Sequence, residues 1–219
     1  MQKDPLEILA CQPARLDTGR FHRKAVIPFG LTINHIRSAM GEFLDFLGFI
    51  NVQLGTKSMP RLESFLLPAN FSSMVGEFMN AAIPKYGSKI VKNKYHNGHP
   101  DLVPAGAFPG DAAQHGSAGN EIKASRHRSG WQGHNAEDVW LMVFVFDSNT
   151  ARDVHLNIPP RPFRFVEVFG AEITKKDWNF SGRSETSRRT ITASVTRSGY
   201  EKMASNWIYR TDLSVEERK

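Results

Sequence analysis

The stretch that most constrains the fold is Val139-Trp140-Leu141-Met142-Val143-Phe144-Val145-Phe146, an unbroken apolar run. A strand sends successive side chains to opposite faces, so a half-solvated strand alternates apolar and polar residues. This run does not alternate. It is far too short for a membrane helix, which needs about 20 apolar residues, and it is rich in β-branched and aromatic side chains. It is expected to be a central strand covered on both faces, which demands a sheet with a layer packed on each side. With 219 residues, 40% of them hydrophobic, the chain has the material for one such domain, expected over residues 31–219.

The flanking patterns supply the layers. From Thr32, the spacing of Ile33, Ile36, Met40, Phe43, Leu44 and Leu47 predicts an amphipathic helix ending near Gly48. Pro60 opens a short helix with Leu62, Phe65 and Leu66, and Pro68 stops it. A second amphipathic helix carries Phe71, Met74, Val75, Phe78, Ala82 and Ile83 and is expected to stop at Pro84. Lys89 to Tyr95 reads as a strand, Asn97-Gly98 as a hairpin turn, and Phe163 to Ile173 as a further strand after Pro159-Pro160. Tyr200 to Tyr209 reads as a closing helix. Residues 1–30 show no sustained period and are expected as an N-terminal arm or lead-in.

Chemistry concentrates between His99 and Ser125. On a strand, Glu121 and Lys123 share one face while Ile122 and Ala124 take the other. A short strand at Leu102 and Val103 pairing with it carries Asp101 to the rim, so two carboxylates converge on one hard cation with an ammonium beside them. That combination suits phosphate chemistry. Asp111 competes with Asp101, since it is nearer in sequence to Glu121 and sits in a Gly- and Pro-rich loop, but Asp101 is preferred because it adjoins a strand. His96, His99 and His115 invite a zinc reading, yet neither a paired-cysteine frame nor an HExxH helix accompanies them, and they read as polar loop residues. The single cysteine, Cys11, excludes an internal disulfide. No GxxxxGK[ST] or GxSxG motif is present, which leaves an NTPase or serine hydrolase without support.

Pro100-Asp101 followed, after a variable hairpin, by Glu121-Ile122-Lys123 resembles the PD-(D/E)XK nuclease superfamily, to which many restriction endonucleases belong. The chain order of helix, strand, Pro-Asp strand and Glu-Xaa-Lys strand is the one this resemblance implies. The resemblance covers about residues 71–146, the implied catalytic core of a single nuclease domain over 31–219, and further implies an α/β fold, a restriction endonuclease-like mixed β-sheet core flanked by α-helices. Asp101, Glu121 and the carbonyl of Ile122 would hold Mg2+, and Lys123 would orient or deprotonate the attacking water or stabilise developing charge. Relatives of this fold often carry another acidic residue on the preceding helix, where Glu77 stands here, and a surface glutamate is the simpler alternative. The implied activity is magnesium-dependent hydrolysis of double-stranded DNA by a sequence-specific type II restriction enzyme. The alternatives are a repair, recombination or phage nuclease of the same fold, or a DNA-binding protein without catalysis.

The charge balance agrees with a polyanionic partner. Lys and Arg number 28 against 22 Asp and Glu, a formal net charge of +6. Arg126 and Arg128 follow the Glu-Xaa-Lys motif, and Arg183, Arg188 and Arg189 are interleaved with serines and threonines, a pattern rich in donors for phosphate oxygens. All five are candidate DNA contacts, against the plainer reading of a solvated surface. A palindromic site would be matched by a homodimer. No signal-peptide pattern is read at the start and no membrane span is expected, so a cytoplasmic protein is the expectation, and the resemblance to restriction endonucleases implies that it is bacterial, archaeal or phage-encoded.

Overall fold

The computed structural model describes residues 4–133, 135–181 and 192–211. In chain order these form helices α1 (Pro5–Ala10), α2 (Ile33–Thr56), α3 (Leu62–Phe65) and α4 (Pro68–Tyr86), then strands β1 (Ile90–Lys92), β2 (Leu102–Pro104), β3 (Asn120–Ser125), β4 (Gln132–Gly133), β5 (Val139–Asp147), β6 (Arg164–Ile173), β7 (Trp178–Ser181) and β8 (Thr192–Val195), and finally helix α5 (Arg197–Ser205) and strand β9 (Trp207–Arg210). The fold is mixed α/β. A six-stranded sheet runs β1-β2-β3-β5-β6-β9, and a separate three-stranded sheet runs β4-β8-β7.

The apolar run is the spine of the large sheet. β5 pairs in parallel with β3, setting Glu121 opposite Leu141 and Lys123 opposite Val143, and in antiparallel fashion with β6. Its side chains divide by parity between two cores. Met142, Phe144 and Phe146 join α2 and α4 residues such as Phe43, Phe71 and Met79 on one face. Leu141, Val143 and Val145 join Trp131, Phe169, Trp178, Val195 and Met203 on the other, beneath the small sheet and α5. The strand is therefore covered on both faces, as its lack of alternation requires.

Several boundaries differ from the sequence expectations for identifiable reasons. α2 does not stop near Gly48. Gly48 is a packing position, where a Cβ would lie 3.0 Å from Gln12 Oε1 and 3.2 Å from Pro13 Cδ, so the N-terminal segment crosses the helix there. α4 continues past Pro84 because a proline in the last turn forfeits a single hydrogen bond, while Lys85 and Tyr86 both bind the Glu42 carboxylate on α2. The closing helix ends at Ser205, and Trp207, Ile208 and Tyr209 form an edge strand against β6 instead. Residues 14–26 lie along that edge: Ala14 N donates to Phe163 O at 2.8 Å and His22 N to Ile208 O at 3.0 Å.

The fold positions one strand with particular care. α4 approaches β3 closely at Gly76, whose Cβ position is 3.8 Å from Ala124 N, and the helix face of β3 carries the buried Asn120 with Ile122 and Ala124, the last two joining the helical core. Glu121 and Lys123 are thereby sent to the opposite face. At the start of β3, Gly119 has φ 145° and a Cβ there would fall 2.1 Å from the Leu102 carbonyl oxygen. Only glycine lets the chain enter β3 this close to β2.

Candidate functional site

Asp101, Glu121 and Lys123 come together on the β2–β3 hairpin. The pairing of Leu102 with Asn120 brings the start of β2 alongside β3, and Asp101 Oδ2 accepts from Ile122 N at 2.8 Å. That bond uses one carboxylate oxygen and leaves Oδ1 for an outside partner. The segment before β2 is fastened by Asn93, a buried side chain whose amide is fully used: Nδ2 donates to Pro100 O at 2.9 Å and Ala113 O at 2.8 Å, and Oδ1 accepts from Tyr95 N and Ala113 N, each at 3.0 Å. Asp101 thus stands on a braced loop rather than a free end.

Glu121 is held at both oxygens. Lys123 Nζ binds Oε1, and His99 Nδ1 lies 3.0 Å from Oε2. The same His99 Nδ1 is 3.0 Å from Oε2 of Glu137, on the crossover between β3 and β5. The Glu121 side chain is 13% exposed and that of His99 15%. Three carboxylates, an imidazole and an ammonium therefore form one half-buried charge cluster on the face of β3 away from the helices.

Their charges interact strongly. Burial raises Asp101, and the nearby charge of Glu121 raises it further, against the opposing pull of Lys123 and the Ile122 N–H, to about 6. Burial also raises Glu121, but the His99 hydrogen bond and the Lys123 charge overcome it and bring the group down to about 2. Burial disfavours the charged forms of Lys123 and His99, yet both end above their ordinary values: the charges of Glu121 and Asp101 hold the ammonium, and Glu121 and Glu137 hold the imidazolium. Two carboxylates that repel each other in a dry setting make a place where added positive charge is favoured.

Among the described residues, no group of three or more His, Cys, Asp or Glu side chains is arranged to hold a metal ion. The donors that fit a hard cation are Asp101 Oδ1, the Glu121 carboxylate and the Ile122 carbonyl, all oxygen, with coordination otherwise completed by water. Glu121 would have to share its oxygens between the cation and its present partners.

The other candidates are placed differently. Glu77 lies on α4 with a side chain 66% exposed, paired to Lys92 at 3.2 Å; it makes no hydrogen bond to the cluster, though its charge contributes to raising Asp101. Asp111 accepts from Gly106 N at 2.8 Å and pairs with Lys94, so it stabilises its own loop. The Arg126 side chain is engaged within the protein. Its guanidinium donates to Ser148 O and Asn149 O and, at 2.7 Å, to Ser148 Oγ, and it lies over the Phe146 ring. Burial pulls its pKa down, the mark of a structural cation. Arg128 reaches Glu167, a buried residue of β6, at 3.6 Å. Arg183, Arg188 and Arg189 lie outside the described residues.

Sequence reasoning missed His99 and Glu137 as members of the cluster. His99 adjoins Pro100-Asp101, and that adjacency was the available signal. Nothing in the local sequence marks Glu137, because its place depends on how the crossover folds back. No helix among the described residues is long and apolar enough to cross a membrane. No protein-family model, curated protein or solved structure matches the chain.

Proposed function

We propose that this protein is a magnesium-dependent endonuclease of double-stranded DNA, with the character of a type II restriction enzyme. The observation that carries the reading is the convergence of a buried Asp101, a doubly held Glu121 and a charged Lys123 on one hairpin, in the Pro-Asp and Glu-Xaa-Lys pattern. Asp101, Glu121 and the Ile122 carbonyl would hold Mg2+. Bound there, the ion supplies a water acidified toward hydroxide and charge stabilisation at the phosphate.

The protein's own groups have separable tasks. Water attacks phosphorus, the bond from phosphorus to one sugar oxygen breaks, and that oxygen takes up a proton. Lys123 is protonated at neutral pH, its ammonium favoured by Glu121 and Asp101, so it suits donation to the attacking water's surroundings or to a phosphate oxygen as negative charge grows. Burial of the cluster strengthens each of these interactions relative to bulk water. The proposed assembly is a homodimer whose two-fold axis matches a palindromic site, and light scattering of free and DNA-bound protein tests it.

A cleavage assay on mixed-sequence duplex DNA with Mg2+ tests the proposal. Discrete fragments are expected, with activity lost in Lys123→Ala by at least about a hundredfold while the variant stays folded. General degradation would favour a repair, recombination or phage nuclease, binding alone a non-catalytic DNA-binding protein. A fully active Lys123→Ala would refute the assignment.

A further inference from the structure

We infer that His99 is a positioning residue: its Nδ1 fixes the Glu121 carboxylate for cation binding, and Glu137 fixes the imidazole in turn. The inference takes its reaction from the nuclease proposal above, but its ligand, a divalent cation, is tested independently of any cleavage.

The geometry is specific. One imidazole nitrogen faces two carboxylate oxygens, Glu121 Oε2 and Glu137 Oε2, each at 3.0 Å. The segments that carry His99 and Glu137 are themselves anchored. The His99 backbone is clamped on both sides, donating to Gln114 O at 3.1 Å and accepting from Gly116 N at 2.8 Å. On the crossover, Glu137 O accepts from Trp178 Nε1 at 2.9 Å, and Asp138 Oδ1 accepts from Lys175 N at 2.8 Å. Three segments distant in sequence therefore meet at one nitrogen. The other ring nitrogen, Nε2, is buried and has no hydrogen-bond partner among the described residues, so the polar contacts of this side chain are directed at the two carboxylates.

This arrangement answers a particular problem of Glu121. With Lys123 as its sole partner, the carboxylate would be held at Oε1 alone and Oε2 would have no holder. The imidazole on the second oxygen fixes the plane of the group between two holders. A long glutamate side chain otherwise loses rotamer freedom when it engages a cation. Since Nδ1 has a second acceptor in Glu137, the imidazole stays oriented when Glu121 turns part of its charge toward an ion. Outer partners of this kind typically matter by about 10–100-fold in metal affinity.

The test is calorimetric titration of the metal-free full chain with Mn2+, accompanied by the magnesium dependence of DNA cleavage. His99→Ala should weaken Mn2+ binding about tenfold or more and raise the magnesium concentration for half-maximal cleavage by a similar factor, with the rate at saturating magnesium within about threefold of wild type. His99→Asn, whose amide N–H replaces Nδ1, should recover most of the affinity. Glu137→Ala should fall between wild type and His99→Ala, and it carries the test if His99→Ala does not fold. Wild-type Mn2+ affinity in His99→Ala, or in Glu137→Ala if only that variant folds, overturns the inference. So does a folded His99→Asn as weak as His99→Ala, the result of a merely structural role. If wild type cleaves DNA and Asp101→Ala does not, yet the His99 variants bind Mn2+ normally, the inference alone falls. Histidine-dependent Mn2+ binding without any cleavage retains the inference and removes the nuclease proposal. Absence of divalent-cation binding by wild type removes both.

Discussion

Replacing Asp101 with asparagine should make the metal-free protein more stable at pH 8 while abolishing cleavage. Asp101 binds its proton more tightly in the folded chain than in the unfolded one, since its pKa rises from 3.8 to about 6. Its contribution to stability is thus fully present below pH 3.8 and is lost as pH rises through about 6. At pH 8 the buried, ionised carboxylate burdens the fold by roughly two units at about 1.4 kcal/mol each, or about 3 kcal/mol. The substituted amide retains an oxygen to accept from Ile122 N, but as a neutral acceptor it gives up about 1 kcal/mol. The expected net gain is about 2 kcal/mol, a rise in Tm of about 4–8 °C for a chain of this size. Near pH 4.5 about 1 kcal/mol of the electrostatic gain remains, which the weaker hydrogen bond cancels, so the two proteins should melt together. Glu121 has the opposite sign, contributing stability above pH 4.5 that is lost as pH falls toward about 2, and it stays ionised in both proteins over the range compared. Thermal unfolding in the presence of a chelator, between pH 4.5 and 8, measures the difference. Adding Mg2+ should then raise the wild-type Tm and leave the variant unmoved, through mass action on the folded state. A variant less stable than wild type at pH 8, or a difference independent of pH, would refute the reasoning.

Arg126→Ala should lower stability by about 2–3 kcal/mol in denaturant titration, because it strips charge-assisted donors from the Ser148 and Asn149 carbonyls, and the salt slope of DNA binding should not change. Gly119→Ala should cost more than about 2 kcal/mol and abolish cleavage, since the added methyl meets the Leu102 carbonyl and pushes β3 from β2; a stable, active variant would contradict the placement of the hairpin. Glu77→Gln should stay within about threefold of wild-type turnover, in keeping with its exposure and its pairing with Lys92, and a loss of tenfold or more would bring Glu77 into the site.

What was legible in the sequence was what depends on local periodicity and chain order. The Val139 to Phe146 run declared a doubly covered strand, and β5 is central with its side chains divided between two cores. The alternation of Glu121-Ile122-Lys123-Ala124 placed the charged pair on one face, and Ile122 and Ala124 indeed meet the helical core. What was not legible depended on contacts distant in sequence. Gly48 read as a helix stop because glycine is a weak helix former, yet the crossing of Gln12 and Pro13 above it decides its role. Trp207 to Tyr209 fit a helical spacing over too few residues to exclude a strand, and the open edge of β6 settles the matter. Arg126 carries the composition of a DNA contact, but its side chain turns inward to cap the end of β5.

The location of the charged pocket follows from how the two layers treat β3. On the helix side, Gly76 lets α4 sit directly over the strand, which leaves no space for a solvated carboxylate. On the other side, the second core spans residues of β5 and β6 but includes none from β3, so its apolar cover ends one strand short. The Glu121 and Lys123 side chains retain 13% and 28% exposure there, enough for a cation or a phosphate oxygen to reach them yet too little for water to screen them fully. His99 and Glu137 close this gap from the β2 side and the crossover side, respectively. A charge cluster that merely braced the fold would gain nothing from an open side, and replacing its buried ions with apolar side chains would often be neutral or stabilising. Here the least favourable member, Asp101, has one oxygen bound by Ile122 N, and a cation brought to the cluster would relieve the repulsion from Glu121 that raises it.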